Sequence, residues 1–138
     1  TVHFMKDVYY GSHIDSTLVA LKPGLLLANP ARLSSDTIPP FLKQWEILFS
    51  PPMENQDRYS TEYLEQAIGS EWIDMNLFSL GPETVVVDRD QTALIRLLES
   101  HQMEVIPLKL RHSRMMGGGF HCVTLDTRRR GKMESYFD

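Results

Sequence analysis

The chain has 138 residues, 42% of them hydrophobic and 23% charged, which is enough for one modest core and ordinary for a soluble globular domain. A net charge of −4 gives no electrostatic reason to expect nucleic acid or an anionic membrane as a partner. No apolar run approaches the ~20 residues that span a bilayer, and the single cysteine, Cys122, excludes an intramolecular disulfide and a thiolate zinc site, which fits a reducing cytoplasm.

The chain opens without an initiator Met or a signal peptide, in a stretch that reads as a strand, Val2-His3-Phe4-Met5. That opening leads us to expect further chain upstream. The first recognisable unit then spans about 13–50. His13-Ile14-Asp15-Ser16-Thr17-Leu18 leads into Leu18-Val19-Ala20-Leu21, a Lys22-Pro23-Gly24 turn and the apolar run Leu25-Leu26-Leu27, closed by Asn29-Pro30. Two short apolar runs around a Pro/Gly turn predict a β-hairpin. A short helix is expected around Pro39–Gln44, where proline suits a first turn, and then a strand, Trp45–Phe49.

A second unit, about 72–109, repeats this order. Trp72-Ile73-Asp74-Met75-Asn76-Leu77 corresponds to the opening of the first unit. Leu77–Leu80, a Gly81-Pro82-Glu83 turn and Thr84–Val87 form the second hairpin. Leu94, Leu97, Leu98 and His101 share one helical face, and Asp88 or Asp90 is expected to cap that helix. Glu104–Leu108 is the closing strand. After Gly117-Gly118-Gly119 comes Phe120–Leu125, read as the strand of a third unit or of a closed ring, within 117–127. Two αβ units could form an ordinary two-layer sandwich. A larger array is the preferred reading, because repeat units stabilise each other through their neighbours. The run Arg128-Arg129-Arg130 is too short for a basic binding patch and reads as a solvated or ion-paired structural stretch.

The residues with chemical potential stand at the entries to these units. In a radial array equivalent ends converge, which would bring His13, Ser70 and Cys122 together. A cysteine attacks as thiolate and needs a base or cation nearby; His13 can exchange protons at neutral pH. His121 adjoins Cys122, but in a strand neighbouring side chains point to opposite faces, so His121 reads as structural. Asp15 could accept a guanidinium bidentately, or simply orient a histidine. No phosphate-binding glycine loop or Gly-x-Ser-x-Gly elbow is present, and the five histidines lack zinc spacing.

Met116–Thr124, Asp126, Arg128–Gly131 and Glu134–Asp138 together resemble the C-terminus of the glycine (arginine:glycine) amidinotransferases. His13-Ile14-Asp15-Ser16-Thr17 resembles the histidine motif of that family, and Asn29-Pro30-x-Arg32 and Ser70-Glu71-Trp72-x-x-Met75-Asn76 also match. The resemblance implies an α/β pentein fold, a five-bladed propeller of ββαβ units, of which residues 1–138 would hold the C-terminal part: about two units plus the closing strand. It implies Cys122 as the nucleophile that becomes amidinated, His13 as general acid/base, Asp15 as a guanidinium-binding carboxylate, and Arg32 and Ser70, with Gly69 beside it, as donor-binding positions. Gly69 departs from the serine that the family can carry there. The third catalytic residue of the family, an upstream Asp, has no counterpart, so this stretch by itself is expected to be inactive.

The implied reaction is ping-pong transfer of the amidino group of L-arginine to glycine or another small amine, with no metal or organic cofactor. A cytoplasmic setting follows, and a homodimer is left open. The Val123-Thr124-Leu125 stretch favours a bacterial or cyanobacterial secondary-metabolism branch. The alternatives are a guanidine hydrolase on the same fold and a non-catalytic repeat module.

Overall fold

The computed structural model describes Met5 and residues 13–54, 70–110 and 117–131. The opening strand expected at Val2–Met5, Gly69, and the C-terminal Glu134–Asp138 lie wholly or mainly outside the described residues.

Leu25–Ala28 is apolar at all four positions, and such a run suits a strand covered on both faces. It forms the middle strand, β2 (Leu25–Ala28), of a three-stranded sheet. Strand β1 (Leu18–Lys22) pairs with it antiparallel, through a turn in which Gly24 takes φ 81°, a left-handed conformation that glycine adopts without strain. Strand β3 (Glu46–Phe49) pairs with β2 in parallel, Leu25 opposite Glu46 and Ala28 opposite Phe49.

The second unit repeats this topology. Strands β4 (Phe78–Ser79) and β5 (Thr84–Asp88) are antiparallel. Strand β6 (Glu104–Leu108) returns parallel to β5 after the helix α1 (Thr92–Ser100). The likeness extends to single hydrogen bonds. Asn29 Oδ1 accepts from the Ala31 amide at 2.9 Å, and Asp88 Oδ1 accepts from the Asp90 amide at 3.0 Å, each at the C-terminal end of the middle strand.

The sheets share one core. Leu25 and Leu27 meet Val85 and Val87 together with Leu94 and Leu98 of α1 and Met103. Because strand neighbours alternate sides, Leu26 and Ala28 face the other way, where Leu33, Ile38, Leu42 and Trp45 cover them. His101 also joins the units: its Nε2 lies 3.3 Å from Glu46 Oε1, and its carbonyl accepts from Lys22 Nζ at 3.0 Å.

Three expectations change. The helix expected around Pro39–Gln44 is a single 3-10 turn, Pro40–Leu42. Two consecutive prolines supply no amide donors, and the residue before a proline is pushed out of the helical region. Neither Asp88 nor Asp90 caps α1. Gln91 is its N-cap and gives no side-chain capping bond; instead Glu54, distant in sequence, accepts from the Ala93 amide and the Thr92 hydroxyl, both at 3.0 Å. Finally, residues 117–127 form no strand: 120–123 are a turn and 124–131 are irregular.

Candidate functional site

Each unit begins with a 3-10 turn followed by a buried polar residue. The first turn, Ile14–Ser16, carries Asp15 and is followed by Thr17, 1% exposed. The second, Ile73–Met75, is followed by Asn76, 2% exposed. The two turns pack against each other, which brings these residues close together.

The Asp15 turn is held from behind. Asn29, fully buried, donates from Nδ2 to the Ser16 carbonyl at 2.8 Å. Arg32 Nη1 donates to Ser16 Oγ and Thr17 Oγ1, both at 2.8 Å. Arg32 thus braces the turn that presents Asp15. Ser70 does similar work for the second turn: its Oγ accepts from the Trp72 amide at 3.1 Å and its carbonyl from the Ile73 amide at 3.0 Å.

Asn76 joins the turn of Asp15 to that of Cys122. Its Nδ2 donates to Asp15 Oδ2 at 2.6 Å. Its Oδ1 accepts from the amides of Gly119 and Cys122, each at 3.0 Å, and its carbonyl accepts from the His121 amide at 3.2 Å. These bonds explain why 117–127 is not a strand. Three of its amides, those of Gly119, His121 and Cys122, are already taken by Asn76, and backbone amides seek one good partner each.

The glycines are needed for this closeness. A Cβ on Gly119 would stand 2.6 Å from Asn76 O, and one on Gly118 would stand 2.7 Å from Cys122 Cβ. Cys122 itself is an exposed free thiol.

The strand geometry behind the structural reading of His121 does not hold. With the turn replacing the strand, its ring does not point away from the site. Nδ1 lies 3.4 Å from Asp15 Oδ2, and the side chain is 64% exposed. His13 stands at the N-terminal boundary of the Asp15 turn, exposed to solvent. Among the described residues, the rings of His13 and His121 make no hydrogen bond to the Cys122 thiol. Beside Asp15 and His121 is a cavity of about 280 Å³ walled by Leu18, Met75, Phe78 and Arg129. No cluster of His, Cys, Asp or Glu suited to a metal ion occurs among the described residues, and no described helix is long and apolar enough to cross a membrane.

The site thus gathers Asp15, His121 and Cys122 around Asn76, with His13 at the edge. Sequence reasoning missed Asn76 and misplaced His121. The signal for Asn76 was its alignment with Thr17 across the repeat. That for His121 was the glycine run before it, which favours a turn as much as a strand.

No protein-family model matches the chain. Inosamine-phosphate amidinotransferase 1 of Streptomyces griseus is 48% identical over 136 residues, covering 99% of this chain and 38% of that protein. The solved structure of the Streptomyces griseus inosamine-phosphate amidinotransferase STRB1 superposes with a TM-score of 0.89 at 47% identity, over 100% of this chain and 38% of that one. The chain is a homologue of the amidinotransferases, matching their C-terminal part. SxtG, an amidinotransferase of the saxitoxin biosynthetic pathway from Microseira wollei, superposes on this amidinotransferase homologue with a TM-score of 0.80 at 35% identity, over 92% of this chain and 36% of that one. Enzymes named L-arginine:L-lysine amidinotransferase, from Pseudomonas savastanoi pv. phaseolicola, and mitochondrial glycine amidinotransferase, from Gallus gallus, match at 39% and 37% identity. The solved neighbours have the pentein fold, to which the two sheets and the helix belong. The chain spans about 38% of the length of the Streptomyces relatives that it matches.

Proposed function

We propose that the protein to which this chain belongs transfers the amidino group of L-arginine to an amine through an S-amidino intermediate on Cys122. The observation that supports this most directly is the linkage through Asn76. It ties a carboxylate suited to a guanidinium, Asp15, to the turn of an exposed thiol, Cys122.

In this scheme Asp15 accepts the guanidinium N–H groups. The Cys122 thiolate attacks the guanidinium carbon, and the tetrahedral intermediate collapses by breaking the bond to the side-chain nitrogen of arginine. His13 gives that nitrogen a proton, and ornithine leaves. The acceptor amine then adds to the amidino carbon and loses a proton to His13, and the carbon–sulfur bond breaks to return the thiolate. Splitting one difficult substitution into two easier ones is the gain of covalent catalysis. Arg32, Ser70 and Gly69 are assigned to the amino-acid end of the donor.

Glycine and amines of biosynthetic intermediates are the acceptor classes in question. The higher identity to enzymes named for inosamine phosphate, 48% against 37% for a glycine enzyme, favours an amino-cyclitol phosphate. The full-length protein, incubated with arginine alone, should gain one amidino group on Cys122 and release ornithine. Adding an amino-cyclitol phosphate, lysine or glycine then identifies the acceptor by its guanidino product. Cys122→Ser should release nothing. Turnover in that variant would overturn the covalent scheme, and citrulline in place of a guanidino product would make the enzyme a hydrolase.

A further inference from the structure

We infer that Asn76 is a positioning residue that couples the guanidinium-binding carboxylate to the nucleophile, fixing the Cys122 turn and the Asp15 carboxylate against one another. The inference rests on the roles proposed above for Asp15 and Cys122.

The chemistry of the side chain fits the task closely. An amide has one acceptor oxygen and one donor nitrogen. Here the oxygen faces two backbone N–H groups, of Gly119 and Cys122, and the nitrogen faces the Asp15 carboxylate. The reverse orientation would oppose oxygen to carboxylate and nitrogen to two N–H donors, so the network admits one orientation only. With 2% exposure, Asn76 has no water to replace a lost partner.

The repeat gives an independent comparison. Thr17 holds the same place after the first 3-10 turn and is equally buried, but its hydroxyl accepts from Arg32 within its own unit. Asn76 instead reaches across units, to Asp15 61 residues away in one direction and to Cys122 46 residues away in the other. Asp15 and Cys122 lie on separate segments. Covalent catalysis requires the sulfur and the bound guanidinium carbon to meet at a defined distance, and a displacement of about 1 Å can slow such a step by about 10²-fold. Asn76 hydrogen-bonds to both segments, alongside the direct 3.4 Å contact of His121 with Asp15, and the Cβ-free Gly119 is what lets the loop approach it.

The test uses the full-length protein and two variants with different losses. Asn76→Ala removes both functions. Asn76→Asp keeps an acceptor for the Gly119 and Cys122 amides but cannot donate to Asp15. Three quantities are measured: amide hydrogen exchange in 117–123, arginine affinity, and the single-turnover constant for ornithine release at saturating arginine. Asn76→Ala should speed exchange in that segment and lower the single-turnover constant about 10²-fold, with arginine affinity falling less than about tenfold. Asn76→Asp should retain exchange protection and hold the constant within about tenfold of wild type while losing more affinity for arginine.

The inference is overturned if folded Asn76→Ala keeps the wild-type constant, or if both variants lose protection and rate alike, as a merely structural residue would. Should Asn76→Ala not fold, Asn76→Asp decides alone: retained protection with weakened arginine binding supports the coupling, and lost protection refutes it. A wild-type protein that releases no ornithine would instead sink the proposed reaction, while exchange in the variants would still decide whether Asn76 holds the turn.

Discussion

His121 Nδ1 lies 3.4 Å from Asp15 Oδ2, so the imidazole next to the candidate nucleophile in sequence faces the candidate guanidinium carboxylate in space. The same carboxylate oxygen accepts the 2.6 Å bond from Asn76. Both contacts fall on Oδ2, and among the described residues no hydrogen bond or ion pair falls on Oδ1.

His121 is 64% exposed, and even a charged pair at an exposed side chain contributes only about 0.2–1 kcal/mol. His121→Gln should accordingly alter arginine affinity by no more than about fivefold and leave the melting temperature nearly unchanged. A loss of turnover beyond about 10²-fold, measured at saturating arginine, would move the acid/base role from His13 to His121.

Asp15→Asn preserves size but replaces a charged oxygen with a donor that faces the substrate's own N–H groups. A hydrogen bond to a charged group contributes about 1.5–3 kcal/mol. Arginine affinity should fall roughly 10- to 150-fold, as read by equilibrium binding. Unchanged affinity would return Asp15 to a purely orienting role for the residues around it.

Gly119→Ala should destabilise the protein by about 1–3 kcal/mol, the usual range for overpacking. Its new Cβ would meet Asn76 O at 2.6 Å and Asn76 Cβ at 2.7 Å, so relief requires moving the backbone. Gly131→Ala is the control, because among the described residues nothing lies within 4 Å of its added carbon. Denaturant unfolding of both variants checks the pair: equal stabilities would show that the Asn76 contact is not tight in solution.

Glu54 offers a test of the fold that is independent of catalysis. The bond from the Ala93 amide draws its carboxyl below the ordinary value of 4.5, with help from Thr92 and Arg96 and against a contrary effect of burial. A depressed carboxylate contributes stability that is present above the unfolded value and is lost as pH falls through the folded one. Glu54→Ala should therefore cost about 0.5–2 kcal/mol at neutral pH, as for other lost caps. The gap to wild type should narrow as pH falls below the ordinary carboxyl value of 4.5 and close once the carboxyl is protonated in the folded state as well. A gap that persisted at low pH would mean that Glu54 acts through packing rather than as an anionic cap.

Most of the architecture follows from local sequence pattern. The apolar runs Leu25–Ala28 and Thr84–Val87, the turns at Gly24 and Gly81 and the helical face of Leu94 and Leu98 each specify an element within one stretch of chain. The doubling of the unit is equally visible, since Ile14-Asp15 and Ile73-Asp74 stand at the same place in each. Such features depend on residues within a few positions of one another, where side-chain periodicity and turn chemistry act directly.

Other features were decided by distant partners. Phe120–Leu125 alternates well enough for a strand, yet Asn76 takes the amides of His121 and Cys122 and the segment turns. Asp88 and Asp90 are sound caps by composition, yet Glu54 reaches the helix from far away in sequence. Arg32 turned out to brace the Asp15 turn. Each outcome depends on which donors and acceptors folding brings within about 3 Å, and that is a property of tertiary placement. The sequence by itself determined the units, their order and the chemical residues at their entries. Only the tertiary structure decided that a buried amide, rather than a strand pairing, joins Asp15 to Cys122, because a hydrogen bond across 46 or 61 residues leaves no local pattern to read.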